Sequence, residues 1–103
     1  MITFDELVDL VERWASDRRI VPNSTPQAQL LKTVSELGEL SDATLKGDEA
    51  EVVDGVGDVL VTLIIYAKLQ GLDLTHCLNS AYQTIRNRRG TLTPEGVFVK
   101  EGA

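Results

Sequence analysis

The segment Glu51-Val52-Val53-Asp54-Gly55-Val56-Gly57-Asp58-Val59-Leu60-Val61-Thr62-Leu63-Ile64-Ile65 sets carboxylates and apolar side chains on one spacing. Glu51, Asp54 and Asp58 step by three and then four, so in a helix they share one stripe. That stripe continues through Thr62, Ile65 and Leu69. The carboxylates therefore point where buried side chains point. A solvated acidic face would not run into such a stripe, and buried carboxylates need pairing or a metal. Residues 49–70 read as one helix stopped by Gly71. Its second half is apolar nearly all round, the mark of a central helix. Gly55 and Gly57 weaken this helix by about 1 kcal/mol each relative to alanine. Close helix approach or room for a ligand would explain them.

Upstream, Glu36 and Glu39 form a second acidic pair three residues apart. They lie in a predicted helix over 25–46, with Ser24 or Thr25 as N-cap, Pro26 in the first turn and Gly47 as the stop. Leu30, Val34, Leu37 and Leu45 form its apolar stripe, and Lys32, Glu36, Glu39 and Ala43 a separate face. Two antiparallel helices joined by a short loop would aim both acidic clusters into one space. Like charges gathered in this way call for a cation.

The remaining segments support this pair. Residues 3–17 predict an amphipathic helix with a Thr3–Glu6 capping box and apolar Phe4, Leu7, Val8, Val11, Trp14 and Ala15. Trp14 reads as core or interface, with stacking on a base as the sharper role. Residues 18–24 read as a loop, because Pro22 and Asn23 disfavour a continuing helix. Arg18 and Arg19 read as solvated charges that could reach a phosphate. Residues 74–89 predict a fourth helix capped by Asp73, apolar at Leu74, Leu78, Ala81, Tyr82 and Ile85. It closes on Arg86, Arg88 and Arg89, which suit either a helix C-terminus or a phosphate. The tail over 91–103 carries the turn signal Thr93-Pro94-Glu95-Gly96 and then Val97-Phe98-Val99, a short strand or a packed tail. The expectation is an all-α, four-helix bundle-like fold, a single domain over 1–103.

Composition narrows the function. The net charge of −6 argues against nucleic acid polymers and anionic membranes as partners. The longest apolar run, Val59 to Ala67, is far short of a membrane span. The N-terminus has no basic region of the signal-peptide kind. The single Cys77 permits no internal disulfide and fits a reducing compartment. Zinc is disfavoured, because the lone His76 adjoins that lone cysteine away from the acidic clusters. EF-hand spacing, a Walker loop and a nucleophile triad are absent from the sequence. Carboxylates on two helices suit Mg²⁺ or Mn²⁺ and metal-assisted attack of water on a phosphoanhydride.

Lys32-Thr33-Val34-Ser35-Glu36-Leu37-Gly38-Glu39-Leu40, followed by Gly57-Asp58-Val59-Leu60-Val61-Thr62-Leu63-Ile64, resembles the MazG-like family of all-α nucleoside triphosphate pyrophosphohydrolases. The resemblance runs from about Trp14 to Arg89 and is nearest to short phage-encoded members, which share a segment like Gly96-Val97-Phe98-Val99-Lys100-Glu101. It implies a helical bundle assembling as a homodimer or homotetramer in the cytoplasm of a bacterium or a phage-infected host. It also implies Mg²⁺-dependent cleavage of a nucleoside triphosphate, noncanonical or deoxy, to the monophosphate and pyrophosphate. Glu36 and Glu39 match the first pair of the family's motif, and Asp58 matches its last aspartate; these three are the catalytic candidates. The glutamate expected three residues before Asp58 is Gly55, and Asp54, or Glu51 beside it, takes its place. Glu36, Glu39, Asp54 and Asp58 are thus the metal candidates. Lys32, Arg86, Arg88 and Trp14 are the candidates for nucleotide binding. Phosphoribosyl-ATP pyrophosphohydrolase is a neighbouring reading. A noncatalytic helical oligomerisation module is the reading from another class.

Overall fold

The structure, a computed structural model, describes residues 1–102. The chain forms two compact units, Met1–Asp73 and the segment from Leu74 onward. The first is all-helical: α1 (Phe4–Asp17), α2 (Ile20–Asn23), α3 (Pro26–Lys46) and α4 (Glu49–Leu69). The second holds α5 (Leu74–Ile85) and a hairpin of β1 (Gly90–Leu92) and β2 (Phe98–Lys100).

Local chemistry sets the ends of the long helices. The Thr3 hydroxyl accepts from the Glu6 amide at 3.2 Å and donates to the Glu6 carboxylate at 3.0 Å, closing the expected capping box. Thr25 caps α3 by accepting from the Ala28 amide at 3.1 Å, with Pro26 in the first turn. Gly47 ends α3 in the left-handed region at φ 70°, where a Cβ is strained. Asp48 then accepts from the Glu51 amide at 3.1 Å and starts α4. Gly47 and Asp48 alone thus turn the chain, and α3 and α4 lie antiparallel as the main packed pair of the unit.

Several of the buried residues on this helix pair are small or polar. Thr33, Glu36 and Ala43 are buried on α3; Gly55, Thr62, Ile64, Ile65 and Ala67 are buried on α4. A Cβ on Gly55 would lie 3.2–3.4 Å from Cδ1, Cβ and Cα of Leu40, so this glycine marks a close helix approach. Gly57 has open space beside it. Nearby, the Thr33 hydroxyl donates across the interface to the Thr62 hydroxyl at 2.9 Å.

Three expectations need correction. The apolar stripe of α3 does not face α4: Leu30, Val34 (61% exposed), Leu37 and Leu45 (84%) are exposed, as is Leu31. The face carrying Glu36 and Ala43 packs instead, because small and short side chains let two helix backbones come close. Residues 18–24 are not a plain loop, since they include α2, entered through Arg19 in the left-handed region and interrupted by an extended Val21 before a cis Pro22. The fourth long helix stops at Ile85 rather than 89. Its last turn closes with the Arg86 amide on the Tyr82 carbonyl at 2.9 Å, and the Arg88 amide tightens onto the Ile85 carbonyl at 2.8 Å. From Gly90 the chain pairs with β2 in the register Gly90–Lys100, Thr91–Val99 and Leu92–Phe98, so the tail is a two-stranded hairpin. A side chain at position 90 would collide with the Val99 carbonyl and the Phe98 ring. The apolar side chains Leu78, Tyr82 and Ile85 of α5 are exposed. Ala103, the last residue of the expected tail, lies outside the described residues.

Candidate active site

The antiparallel pair brings the two acidic clusters together. A cleft of about 300 Å³ is lined by Glu39, Asp42, Ala43 and Lys46 from α3 and by Glu51, Asp54, Gly55 and Asp58 from α4. Glu36 lies one turn further back on α3, at the helix interface, and is only 7% exposed. Its Oε1 pairs with Lys32 Nζ at 3.2 Å. Its Oε2 is buried, and no donor among the described residues reaches it.

The carboxylates perturb one another. The Glu39 carboxyl is held above the usual carboxylate range, first by a hydrogen bond shared with Glu36 and then by the Glu36 charge, against a lowering effect of Lys32. Ionised carboxylates only accept, so that hydrogen bond exists only while one of the two keeps a proton. Asp58 is likewise pushed up, first by partial burial and next by the Asp54 and Glu36 charges. A proton or a cation relieves the same repulsion.

The donor set is all oxygen, and its buried member has an unused acceptor. That combination fits a hard divalent cation, which takes a few carboxylates and keeps several waters. The cleft is not a closed ligand shell as it stands: among the described residues, no three carboxylate, imidazole or thiol groups are arranged to hold an ion.

Glu36, Glu39, Asp54 and Asp58 are therefore brought together, and Lys32 joins them through Glu36. Trp14 is 42% exposed on α1, stacked under the Arg18 guanidinium 4.7 Å from the ring centre, and does not line the cleft. In the second unit, Arg88 lines two adjoining depressions of about 400 and 590 Å³ that share Arg89 and Glu101; Arg86 lines neither. Lys100 lines one and Phe98 the other. Asp42 and Lys46 were missed by sequence reasoning. Continuing the helical step from Glu39 by three and by seven would have found both. Lys46 is the one cationic side chain among the described residues lining the carboxylate cleft.

Two antiparallel helices that bring carboxylates of both into one cleft define an all-α fold with an acidic site of the kind a hard cation suits. Comparison with known proteins gives the family. Residues 24–92 match the family model described as the MazG nucleotide pyrophosphohydrolase domain, and the chain belongs to that family. The match contains every carboxylate of the cleft; Trp14 and Lys100 fall outside it. An uncharacterised 18.2 kDa protein from the rep-hol intergenic region of Haemophilus phage HP1 is 37% identical over 73 residues. That alignment covers 71% of this chain and 45% of the phage protein, so the chain spans about half the length of this relative. The cyanophage S-2L MazG-like pyrophosphohydrolase, solved with dGDP and three catalytic Mn²⁺ ions per active site, superposes with a TM-score of 0.72 at 23% identity. The superposition covers 98% of this chain and 95% of that one, and it establishes the all-α fold.

Proposed function

We propose that the protein hydrolyses a nucleoside triphosphate to the monophosphate and pyrophosphate with Mg²⁺ or Mn²⁺ held by Glu36, Glu39, Asp54 and Asp58. The observation that carries this reading is the buried, unpartnered Glu36 Oε2 set beside three further carboxylates on one antiparallel helix pair. The bound cation would neutralise phosphate charge and make a coordinated water more acidic. Glu39 is the exposed member of its pair, so it is the side chain open to accept the proton of the attacking water. Lys32 holds Glu36 in place and, being largely exposed, has donors left for a phosphate oxygen. Arg86 and Arg88 remain proposed nucleotide-binding residues on the chemistry of their guanidinium groups, which suit a phosphate. Trp14, with its ring exposed, is the proposed stacking surface for a base.

The exposed apolar stripe of α3 supports assembly as a homodimer or homotetramer, since contiguous apolar surface on a folded chain marks an interaction face. No described helix is long and apolar enough to cross a membrane. The proposed setting is the cytoplasm, where nucleotides and Mg²⁺ are abundant.

The test is release of pyrophosphate and monophosphate from a panel of nucleotides with Mg²⁺ or Mn²⁺. Purine deoxynucleotides come first, because the cyanophage enzyme holds dGDP. Phosphoribosyl-ATP belongs in the same panel. Activity that Glu36→Gln and Asp58→Asn abolish supports the reading. No turnover of any nucleotide with either metal would overturn it and leave the noncatalytic oligomerisation module.

A further inference from the structure

Two contacts between α3 and α4 bracket Glu36, Glu39 and Asp58. At one end the Thr33 hydroxyl meets the Thr62 hydroxyl at 2.9 Å, with both residues 5% exposed. At the other end Leu40 packs against Gly55. Seven residues forward on α3 correspond to seven residues back on α4, so both contacts belong to one antiparallel register. Glu36 lies three residues after Thr33, and Asp58 lies four before Thr62, each one helical turn from the hydrogen bond.

We propose that Thr33 and Thr62 are positioning residues of the carboxylate site, fixing the register that sets how Glu36 and Asp58 face a divalent cation. The proposal rests on the metal-binding reading above and adds the residues that determine its ion selectivity. The rest of this interface includes Ala43 and Gly55, small residues that resist sliding weakly. Apolar burial is non-directional, whereas a hydrogen bond specifies a distance and an angle. The Thr62 hydroxyl donates in turn to the Val59 carbonyl at 2.7 Å, which orients it from its own helix. The Thr33 proton is shared between the Gln29 carbonyl, at 2.9 Å on its own helix, and Thr62 across the interface. Each threonine is thus tied to its own backbone and to the other helix.

Mg²⁺ demands near-ideal octahedral geometry, while Ca²⁺ tolerates irregular ligand sets. Loosening the register should therefore harm Mg²⁺ binding more than Ca²⁺ binding. The experiment uses the full chain and displacement of Mn²⁺, followed by electron paramagnetic resonance, with Mg²⁺ and Ca²⁺ as competitors. Thr33→Val and Thr62→Val remove a hydroxyl at nearly constant shape. Each is expected to weaken Mg²⁺ binding about 10-fold, the scale seen when a group orienting a metal ligand is lost, and to weaken Ca²⁺ binding less. Together they should cost little more than one alone, because they break the same bond. Thr62→Ser keeps the hydroxyl and should keep the wild-type selectivity.

Valine variants of lowered stability that bind both ions like wild type would overturn the proposal and leave the bond a packing feature. Equal weakening in Thr62→Ser would overturn it in favour of the threonine methyl. Should Thr62→Val not fold, Thr33→Val decides, since Thr62 then keeps its Val59 carbonyl partner. Failure of the wild type to bind Mn²⁺ would remove the metal reading itself, and this inference with it.

Discussion

Gly55 and Gly57 sit two residues apart in one helix with opposite surroundings, and alanine should stabilise at Gly57 but not at Gly55. Gly57 has nothing within 4 Å of an added Cβ. Alanine there should gain the helix-interior preference of about 1 kcal/mol. At Gly55 the same gain is available, but the new methyl would stand 3.2 Å from Leu40 Cδ1, 3.3 Å from Cβ and 3.4 Å from Cα. Comfortable carbon contacts lie at about 3.5–4.0 Å. The Cδ1 atom can rotate aside; Cα moves only if α3 moves. Inserting one carbon into such a contact costs about 1–3 kcal/mol. Net, Gly55→Ala should be neutral to about 2 kcal/mol destabilising, and the two variants should differ by about 1–3 kcal/mol. For a chain of this size each kcal/mol moves Tm by about 4–8 °C. Urea unfolding at one fixed protein concentration in EDTA reads the difference, with unchanged m-values as the control. Equal stabilisation by both alanines would refute a close approach at Gly55.

Three further outcomes are expected. Asp54→Asn keeps shape and removes charge, so it should weaken Mg²⁺ binding and slow nucleotide hydrolysis with the fold intact, while Glu49→Gln should do neither; wild-type behaviour of Asp54→Asn across a Mg²⁺ titration would remove it as a ligand. The carboxyls of Glu39 and Asp58 are both raised when folded, by shared protons, neighbouring charge and partial burial, so the folded state holds protons that the unfolded chain has released. Their contribution to metal-free stability is therefore fully present below the ordinary carboxylate range and is lost as pH rises through the raised values; Glu39→Gln/Asp58→Asn should flatten this dependence in EDTA, and a parallel profile would contradict it. Finally, Val34→Lys places a charge in the exposed apolar stripe of α3 and should lower the assembled mass seen by light scattering without loss of helix content; a wild type already monomeric at micromolar concentration would remove assembly through this face.

The long helices were legible because their ends are written locally. Thr3, Thr25 and Gly47 act within a turn of their own position, and the structure uses all three as caps. The metal candidates were legible for a similar reason: spacing along one helix fixes a face before any packing is known. What spacing does not reveal is which face finds a neighbour. Leu30, Val34 and Leu37 have the stronger preference for burial, yet the helix pair closes on Thr33, Glu36, Leu40 and Ala43, where backbones can approach. The end of α5 was misplaced because the helix stops at Ile85 and the basic residues lie after it, where the chain leads into a strand whose partner, Lys100 against Gly90, is ten residues further on. Asp42 and Lys46 lie outside both acidic motifs, and only the pairing of α3 with α4 shows that their turns of α3 border the cleft.

The two-residue turn at Gly47 and Asp48 bears on how the site comes into being. Glu36, Glu39, Asp42, Glu51, Asp54 and Asp58 all lie in one uninterrupted segment of 23 residues, Glu36 to Asp58. Closing so short a loop costs little chain entropy and brings only sequence-local contacts together. Ring closures of about ten residues take roughly 10–100 ns in flexible chains. The carboxylates therefore meet as soon as this one hairpin forms, ahead of any contact that needs the distant ends of the chain. The site is contiguous in the way a linear epitope is. A long insertion at Gly47 should slow folding of this part of the chain before it alters any contact within the cleft.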